Sequence, residues 1–250
     1  MIRKAWCLRR FLTLAVVVPC AIALLSGCAS TRAPNPEDPY ERFNRSMFTF
    51  NEAVDKTVLK PVAIGYDKMT PRFVNTGVSN FFGNIGDVWI GFNNLLQGKV
   101  GDGLSDWMRF TFNSTFGLFG VLDIASEAGL PKHDEDFGQT LAAWGFNEGP
   151  FLVLPLLGPR TTRDALGLPV DWVGDGLRYV KPSHTRNGMV ALRLINARAN
   201  ALGLSKTLEE GTLDKYSFAR DFYLQQRRHK TSDGMSSLEY EDFDDPEGED

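Results

Sequence analysis

The first 27 residues limit most strongly what this chain can fold into, because they have the layout of an export signal. Four basic residues precede an apolar stretch over 11–25, and small residues follow it. The stretch is 15 residues long and contains Pro19, whereas a membrane-spanning helix needs about 20 apolar residues. This disfavours the alternative, an uncleaved membrane helix. We therefore exclude residues 1–27 from the fold and expect a mature chain that begins at Cys28.

The residues before Cys28 read Leu-Ser-Gly and resemble the bacterial lipobox, whose cysteine is diacylated and becomes the new N-terminus. Two or three acyl chains hold a protein on a membrane stably, whereas one gives marginal binding. Inner-membrane lipoproteins usually carry Asp after this cysteine, but Ala29 follows here. We expect a lipid-anchored protein on the periplasmic face of the outer membrane. Residues 28–37 contain two prolines and no apolar pattern, which predicts a lipidated tether.

The charge distribution argues against nucleic acid as a partner. Loss of the four positive charges of the signal takes the formal net charge from −4 to −8. The eight acidic residues of 239–250 account for all of it, so the rest of the mature chain is neutral. A basic patch is what nucleic acid would require. We predict that residues 231–250 form a disordered acidic tail.

Apolar residues at helical spacing dominate residues 38–230. An N-cap acid at Asp38, followed by Pro39 and Glu41, predicts a helix that ends at Pro61. Strand-type alternation is scarce, and we predict a single all-α domain. The segment 70–97 contains four interior glycines, which leaves either two helices or one bent helix open. Further helices are predicted over 104–119, 121–128, 137–144, 185–202 and 212–229.

An uncharged run from Phe151 to Leu157 is the most unusual segment, because Pro155 interrupts it and Gly-Pro brackets it on both sides. As a helix it would be about 10 Å long, too short for a hydrocarbon core of about 30 Å. One interpretation is a buried loop or short core segment. The other is a mobile apolar hairpin that touches acyl chains. A polar cavity should then adjoin it, because irregular backbone at membrane depth needs burial in protein or a water-filled cavity beside it.

Residues that carry chemistry are few, and we predict no catalytic, metal or cofactor site. The sequence contains no nucleophile elbow, P-loop or zinc-protease motif. The cluster His133-Asp134-Glu135-Asp136 is the best candidate for metal or acid/base chemistry. Adjacent residues on a short loop rarely converge on one ion, so we expect a solvated loop.

Short motifs in order over 38–177 resemble the MlaA (VacJ) family of outer-membrane lipoproteins. The matching residues are Asp38-Pro39-Tyr40-Glu41, Asn44-Arg45, Phe50-Asn51, Asn80-Phe81, Asn84, Asn94, Leu96-Gln97-Gly98, Arg109-Phe110, Asn113-Ser114-Thr115, Gly117, Asp136-Phe137-Gly138-Gln139-Thr140-Leu141, Trp144-Gly145, Gly149-Pro150-Phe151, Leu154-Pro155, Gly158-Pro159 and Arg163-Asp164.

The resemblance implies a ring-shaped helical body in the inner leaflet of the outer membrane, with an amphipathic channel. It implies removal of phospholipid from the outer leaflet without covalent chemistry, which maintains lipid asymmetry. The implied partners are phospholipid, a trimeric porin, a soluble periplasmic carrier and, indirectly, an inner-membrane ABC transporter. Two other function classes compete with it. One is a structural lipoprotein that braces the envelope, and the other is a lipid hydrolase, which the missing nucleophile disfavours.

Two groups of residues are the candidate site of such a protein. The first is the apolar hairpin, in which we expect lipid contacts along the run and hinges at its flanks: Gly145, Gly149, Pro150, Phe151, Leu152, Val153, Leu154, Pro155, Leu156 and Gly158. The second is a set of amides inside apolar helices: Asn44, Asn51, Asn80, Asn84 and Asn94. These amides either line a wet path for headgroups or are buried groups that satisfy helix ends.

Overall fold

Helices form most of the body, as the apolar spacing predicts. The computed structural model describes residues 35–203, 205 and 214–232. The predicted export signal, the predicted lipidation site Cys28 and the part of the predicted acidic tail from 233 onward lie outside the described residues. Within the described ranges, no helix is both long and apolar enough to cross a membrane.

The elements of the described residues follow one another along the chain. They are α1 (Glu41–Val54), a π-helical turn (Asp55–Leu59), α2 (Lys60–Met69), α3 (Arg72–Leu96), α4 (Val100–Thr115), α5 (Ile124–Glu127), α6 (Phe137–Ala143), β1 (Phe151–Leu154), β2 (Gly158–Thr161), α7 (Thr162–Gly174), a 3-10 turn (Gly176–Tyr179), α8 (Ser183–Asn200) and α9 (Lys215–Thr231).

The first helix differs from the prediction at both ends. It begins at Glu41 without a side-chain cap, because the carboxylate of Asp38 is buried and accepts hydrogen bonds from Asn44 and the Tyr216 hydroxyl. It also does not end at Pro61. The π-helical turn leads directly into α2, whose first turn contains this proline, and a first turn is where a missing N–H costs least. The helical path therefore continues to Met69.

The glycine-rich segment forms one 25-residue helix, α3, rather than two. Two of its four glycines lie where α3 meets its neighbours closely. A Cβ added at Gly91 would lie 2.6 Å from the Trp107 ring of α4, and one at Gly77 would lie 2.9 Å from Val121. Gly91 therefore costs helix propensity but permits the close packing of α3 against α4.

A two-stranded antiparallel sheet and helix α7 were not predicted. In the sheet, Phe151 lies opposite Thr161 and Leu154 lies opposite Gly158. Thr161 also starts α7, because its hydroxyl accepts a hydrogen bond from the Asp164 N–H at 3.2 Å. Pro169 lies inside α7, where a sequence reader expects a helix to end. The all-α prediction holds for the body apart from this hairpin.

The segment after Pro131 is a loop, but it is less solvated than we expected, because His133, Glu135 and Asp136 are partly buried. The four residues of the cluster 133–136 contact three parts of the body. His133 bonds to Asp106 at 2.8 Å, and Asp134 pairs with Lys230 of α9. Glu135 accepts a hydrogen bond from Gln97, and Asp136 caps α6 and binds Arg227. Charged side chains thus anchor this connection to α3, α4 and α9.

Candidate functional site

The hairpin is held from outside its own sheet by two asparagines of α1. Asn44 donates a hydrogen bond to the Phe151 carbonyl at 3.0 Å and accepts one from the Val153 N–H at 2.9 Å. Two helical turns later, Asn51 donates to the Leu154 carbonyl at 2.9 Å and accepts from the Leu156 N–H at 2.7 Å. Each side-chain amide therefore replaces a neighbouring strand along the free edge of β1.

Alternate residues of β1 face opposite surroundings. Phe151 and Val153 are each 1% exposed and pack with Tyr216 and Leu224 of α9, so in this conformation they contact protein rather than lipid. Leu152 and Leu154 are half-buried. The tip of the hairpin is apolar and exposed, with Leu156 at 70%.

The glycines predicted as hinges adopt backbone conformations that suit glycine. Gly145, Gly149 and Gly158 all have positive φ, at +87°, +68° and +76°. Leu156 at the tip also has a positive φ, of 63°, without the freedom of glycine. The turn therefore holds an exposed leucine in a conformation that costs of order 1–2 kcal/mol.

A pocket of about 330 Å³ lies beside the hairpin and is lined by both apolar and charged side chains. Its volume is at the lower end of the range for small-molecule sites, about 300–1,000 Å³. The apolar lining includes Pro159 of β2, so the hairpin forms part of the pocket. The apolar lining residues are Phe48, Pro159, Phe218, Ala219, Phe222 and Tyr223.

The charged residues that line the pocket form ion pairs. Arg198 of α8 contacts both carboxylate oxygens of Asp55 at 2.7 and 2.8 Å. Glu52 of α1 pairs with Lys56 at 2.8 Å and with Lys215 at 3.4 Å. The hydrogen bond from Lys56 lowers the pKa of Glu52, and Lys215 lowers it further. The ion pairs give the pocket an amphipathic lining.

The three remaining asparagines lie on α3 and bond to other segments. Asn80 donates to the Val121 carbonyl at 3.1 Å, and Asn84 donates to the Ser114 hydroxyl at 2.9 Å. Asn94 is buried and donates to Asp106 at 2.7 Å. None of the lining residues of the pocket is among the five asparagines. Their assignment to a channel stays a prediction.

Sequence reasoning missed the residues that form the pocket. Phe218 and Phe222 are spaced i, i+4 on α9, and this spacing could have marked an apolar face. Their rings are stacked, with centroids 6.2 Å apart. No pattern in the sequence indicated the ion pairs of the pocket, because Asp55 and Arg198 are separated by 143 positions. Within the described part of the chain, no group of three or more His, Cys, Asp or Glu could hold a metal ion.

Fold and site together describe a helical protein with an amphipathic, ligand-sized pocket bounded by an apolar β-hairpin. The family model for the MlaA lipoprotein matches residues 36–230. The chain therefore belongs to the MlaA lipoprotein family.

Relatives of known name cover most of the chain. Proteins named intermembrane phospholipid transport system lipoprotein MlaA are similar to it in Haemophilus influenzae and in Escherichia coli. The first is 30% identical over 86% of this chain and 88% of the relative, and the second is 34% identical over 81% and 82%. An uncharacterized protein of Rickettsia bellii is 34% identical over 76% of this chain and 75% of its own length.

A solved structure agrees with the fold. It comes from work on the structural basis for maintenance of bacterial outer membrane lipid asymmetry. The two structures superpose with a TM-score of 0.68 at 31% identity, over 78% of this chain and 98% of the other.

Proposed function

We propose that this protein removes mislocalised phospholipid from the outer leaflet of the outer membrane and passes it to a soluble periplasmic carrier. It is anchored on the periplasmic face through lipid on Cys28 and performs no covalent chemistry. A trimeric porin holds it in place, and an inner-membrane ABC transporter takes lipid from the carrier. Family membership and the similarity to phospholipid-transport lipoproteins support this proposal.

The observation that carries the proposal is the amphipathic pocket against the apolar hairpin. A phospholipid presents acyl chains and a charged headgroup, and the lining of the pocket combines aromatic side chains with ion pairs that could contact a part of each. An apolar hairpin beside a cavity that contains charged groups is also compatible with irregular backbone at membrane depth. We assign the hairpin tip and this pocket to the lipid path.

The hydrogen bonds from α1 to the hairpin suit a part that opens and closes. Asn44 and Asn51 hold β1 through four directional bonds, each worth about 1 kcal/mol net. Such bonds define a closed position and can be exchanged for bonds to water or to a lipid headgroup. Opening of the hairpin would move Pro159, which lines the pocket.

The test of the pocket places a charge among its apolar lining residues. Phe222 is half exposed, so we expect Phe222→Glu to fold. The new carboxylate should weaken the binding of acyl chains, because burying a charge against them is costly. A strain that carries this variant should accumulate phospholipid in the outer leaflet to the level of a deletion strain. Phospholipid that added phospholipase can reach on intact cells is the readout. The matched control, Phe222→Leu, keeps this position apolar and should restore the lipid asymmetry of the outer membrane.

A second measurement asks directly whether lipid reaches the hairpin. A photoreactive residue at Leu156 should form phospholipid adducts in cells, whereas one at Lys230, at the end of α9, should not. If the folded, anchored protein gives no adducts at Leu156 and its deletion leaves outer-leaflet phospholipid unchanged, transport is excluded. The protein would then be a lipoprotein that braces the envelope.

A further inference from the structure

A second apolar segment projects from the body, between α4 and α5. Residues 116–122, which we call the 116–122 loop, have the sequence Phe-Gly-Leu-Phe-Gly-Val-Leu without a polar side chain. Phe119 is 79% exposed and Leu118 is 66% exposed. Exposed apolar residues are ordinary when they occur singly, but a contiguous group marks an interaction surface.

The loop holds its apolar side chains outward by means of a strained backbone. Leu118 and Phe119 both have positive φ, of 52° and 59°, a conformation that costs of order 1–2 kcal/mol per residue without glycine. Two glycines make the tight turn possible. A Cβ on Gly117 would lie 2.2 Å from the Leu122 carbonyl oxygen, and one on Gly120 would lie 2.5 Å from the Asn84 amide. Strain of this kind persists only where surrounding contacts enforce it.

Hydrogen bonds from the body enforce this conformation. Asn80 of α3 donates to the Val121 carbonyl, as Asn44 and Asn51 do to the hairpin. After the loop, Asp123 caps α5 and receives two hydrogen bonds from Arg109, both at 3.0 Å. Hydrogen bonds to α3 and α4 therefore hold the loop in this conformation.

Most backbone N–H groups of the loop are satisfied from within the protein. Six of the seven donate to carbonyl oxygens of residues 112–118. An N–H group that is already paired can leave water at little cost, whereas an unpaired one costs several kcal/mol in hydrocarbon. This property favours acyl chains as the surroundings of the loop.

The surface beside the loop has the composition of a membrane interface. Val121 packs at Gly77 of α3, and Phe73 lies one turn earlier on the same face of that helix, with 78% exposure. Two cations, Lys68 and Arg72, and one acid, Asp67, flank this position and are exposed. The net charge of +1 of these three exposed residues suits a bilayer surface with anionic headgroups.

We propose that the 116–122 loop inserts into the acyl layer of the membrane on which the protein is anchored, as a second lipid contact separate from the hairpin. The inference rests on the proposed membrane location and does not depend on transport. The loop would fix the depth and orientation of the body, and the hairpin would remain free to move.

The test uses the mature lipidated protein in vesicles of phosphatidylethanolamine and phosphatidylglycerol. The sequence has no cysteine after Cys28, so Phe119→Cys gives a single site for an environment-sensitive fluorophore. Asp221→Cys on exposed α9 is the control. We expect blue-shifted emission at 119, quenched by lipids that carry a spin label on the acyl chain, and water-like emission at 221. Water-like emission at both positions, quenched equally by aqueous iodide, would overturn the inference.

A second variant pair keeps the test independent of labelling. In the unlipidated full chain, Cys28→Ser, vesicle binding should fall about tenfold for Phe119→Ser, because one large apolar side chain no longer enters the membrane. Phe119→Leu should bind as the parent does. Equal binding of both variants contradicts the inference. Because neither readout involves lipid movement, a failure of the proposed transport leaves the result on the loop interpretable.

Discussion

Asn44 acts on the hairpin as a residue of a neighbouring strand would. Its side chain is fully buried, and its amide bonds to the Phe151 carbonyl, the Val153 N–H and the Asp38 carboxylate. Every polar atom of the side chain therefore has a partner, and two of the partners belong to a backbone more than one hundred residues away. A residue with such a role tolerates little change, even when its size is kept.

Asn44→Asp should therefore destabilise the protein by about 2–4 kcal/mol. The carboxylate keeps the size of the amide but loses both N–H donors and places a negative charge beside Asp38 and the Phe151 carbonyl. Urea unfolding of the mature protein in detergent measures the change. Asn187→Asp on the exposed face of α8 is the control and should change stability by less than about 0.5 kcal/mol. Equal losses at both positions would show that Asn44 does not hold the hairpin.

Asp123 adds a pH-dependent contribution at the base of the 116–122 loop. Burial acts to raise its pKa, but hydrogen bonds from Ser126 and Asn113 and the charge of Arg109 outweigh burial and lower the pKa to about 2. The lowered pKa stabilises the folded state at pH values above the unfolded pKa of about 3.9. This stabilisation is lost as the pH falls toward the pKa of the folded state. We expect the difference in unfolding free energy between the parent and Asp123→Asn to be about 2 kcal/mol at pH 7 and about half of that by pH 3. A difference independent of pH over this range would contradict the prediction.

At the scale of the elements, glycines inside helices differ in their structural role. Gly65 lies inside α2 with no atom within 4 Å of an added Cβ, whereas Gly91 of α3 faces the Trp107 ring at 2.6 Å. The first is a helix position without a packing reason for glycine. The second sets the distance between α3 and α4.

Opposite effects of the same substitution follow from this difference. Gly65→Ala should raise stability by about 0.5–1 kcal/mol through helix propensity. Gly91→Ala should lower it by about 1–3 kcal/mol, because the helices must separate or Trp107 must move. Thermal unfolding of the two variants in one detergent gives the comparison. Stabilisation by both would mean that α3 and α4 are not in close contact at Gly91.

At the scale of the whole molecule, one buried arginine ties the last helix to the rest. Arg227 of α9 bonds to both oxygens of Asp136 at 2.6 and 2.7 Å and to Asp164 at 2.7 Å. Burial acts to raise the pKa of Asp136, but the hydrogen bonds from Arg227 outweigh it and lower the pKa. Because α9 supplies much of the pocket lining, this network also positions the candidate lipid site.

Arg227→Met should cost about 3–5 kcal/mol, because it removes the cation that joins the buried Asp164 to the partly buried Asp136. Hydrogen exchange should show α9 as the element that loses protection first. The neighbouring Arg228 also forms two ion pairs but is half exposed, so Arg228→Met should cost less than about 1 kcal/mol. Similar costs for the two variants would show that the buried network does not hold α9.

The sequence by itself determined the helical class of this protein and the approximate position of most helices. Helical spacing is a local property, so Phe43, Met47 and Phe50 indicate α1 without knowledge of any partner. The short motifs over 38–177 identified the family, because they occur in the family's order along the chain. The sequence also indicated that the glycines flanking the hairpin have a conformational role, because a positive φ is a local requirement of the backbone.

Only the tertiary structure decided what the hairpin bonds to and where the pocket lies. β1 is four residues long and pairs with β2, and Asn44 and Asn51 complete its free edge from a distant helix. The pocket joins α1, β2, α8 and α9, and its lining residues come together only when those elements pack. The physical reason is that these features depend on partners separated by more than one hundred residues, and a pattern of neighbours along the chain carries no record of such contacts.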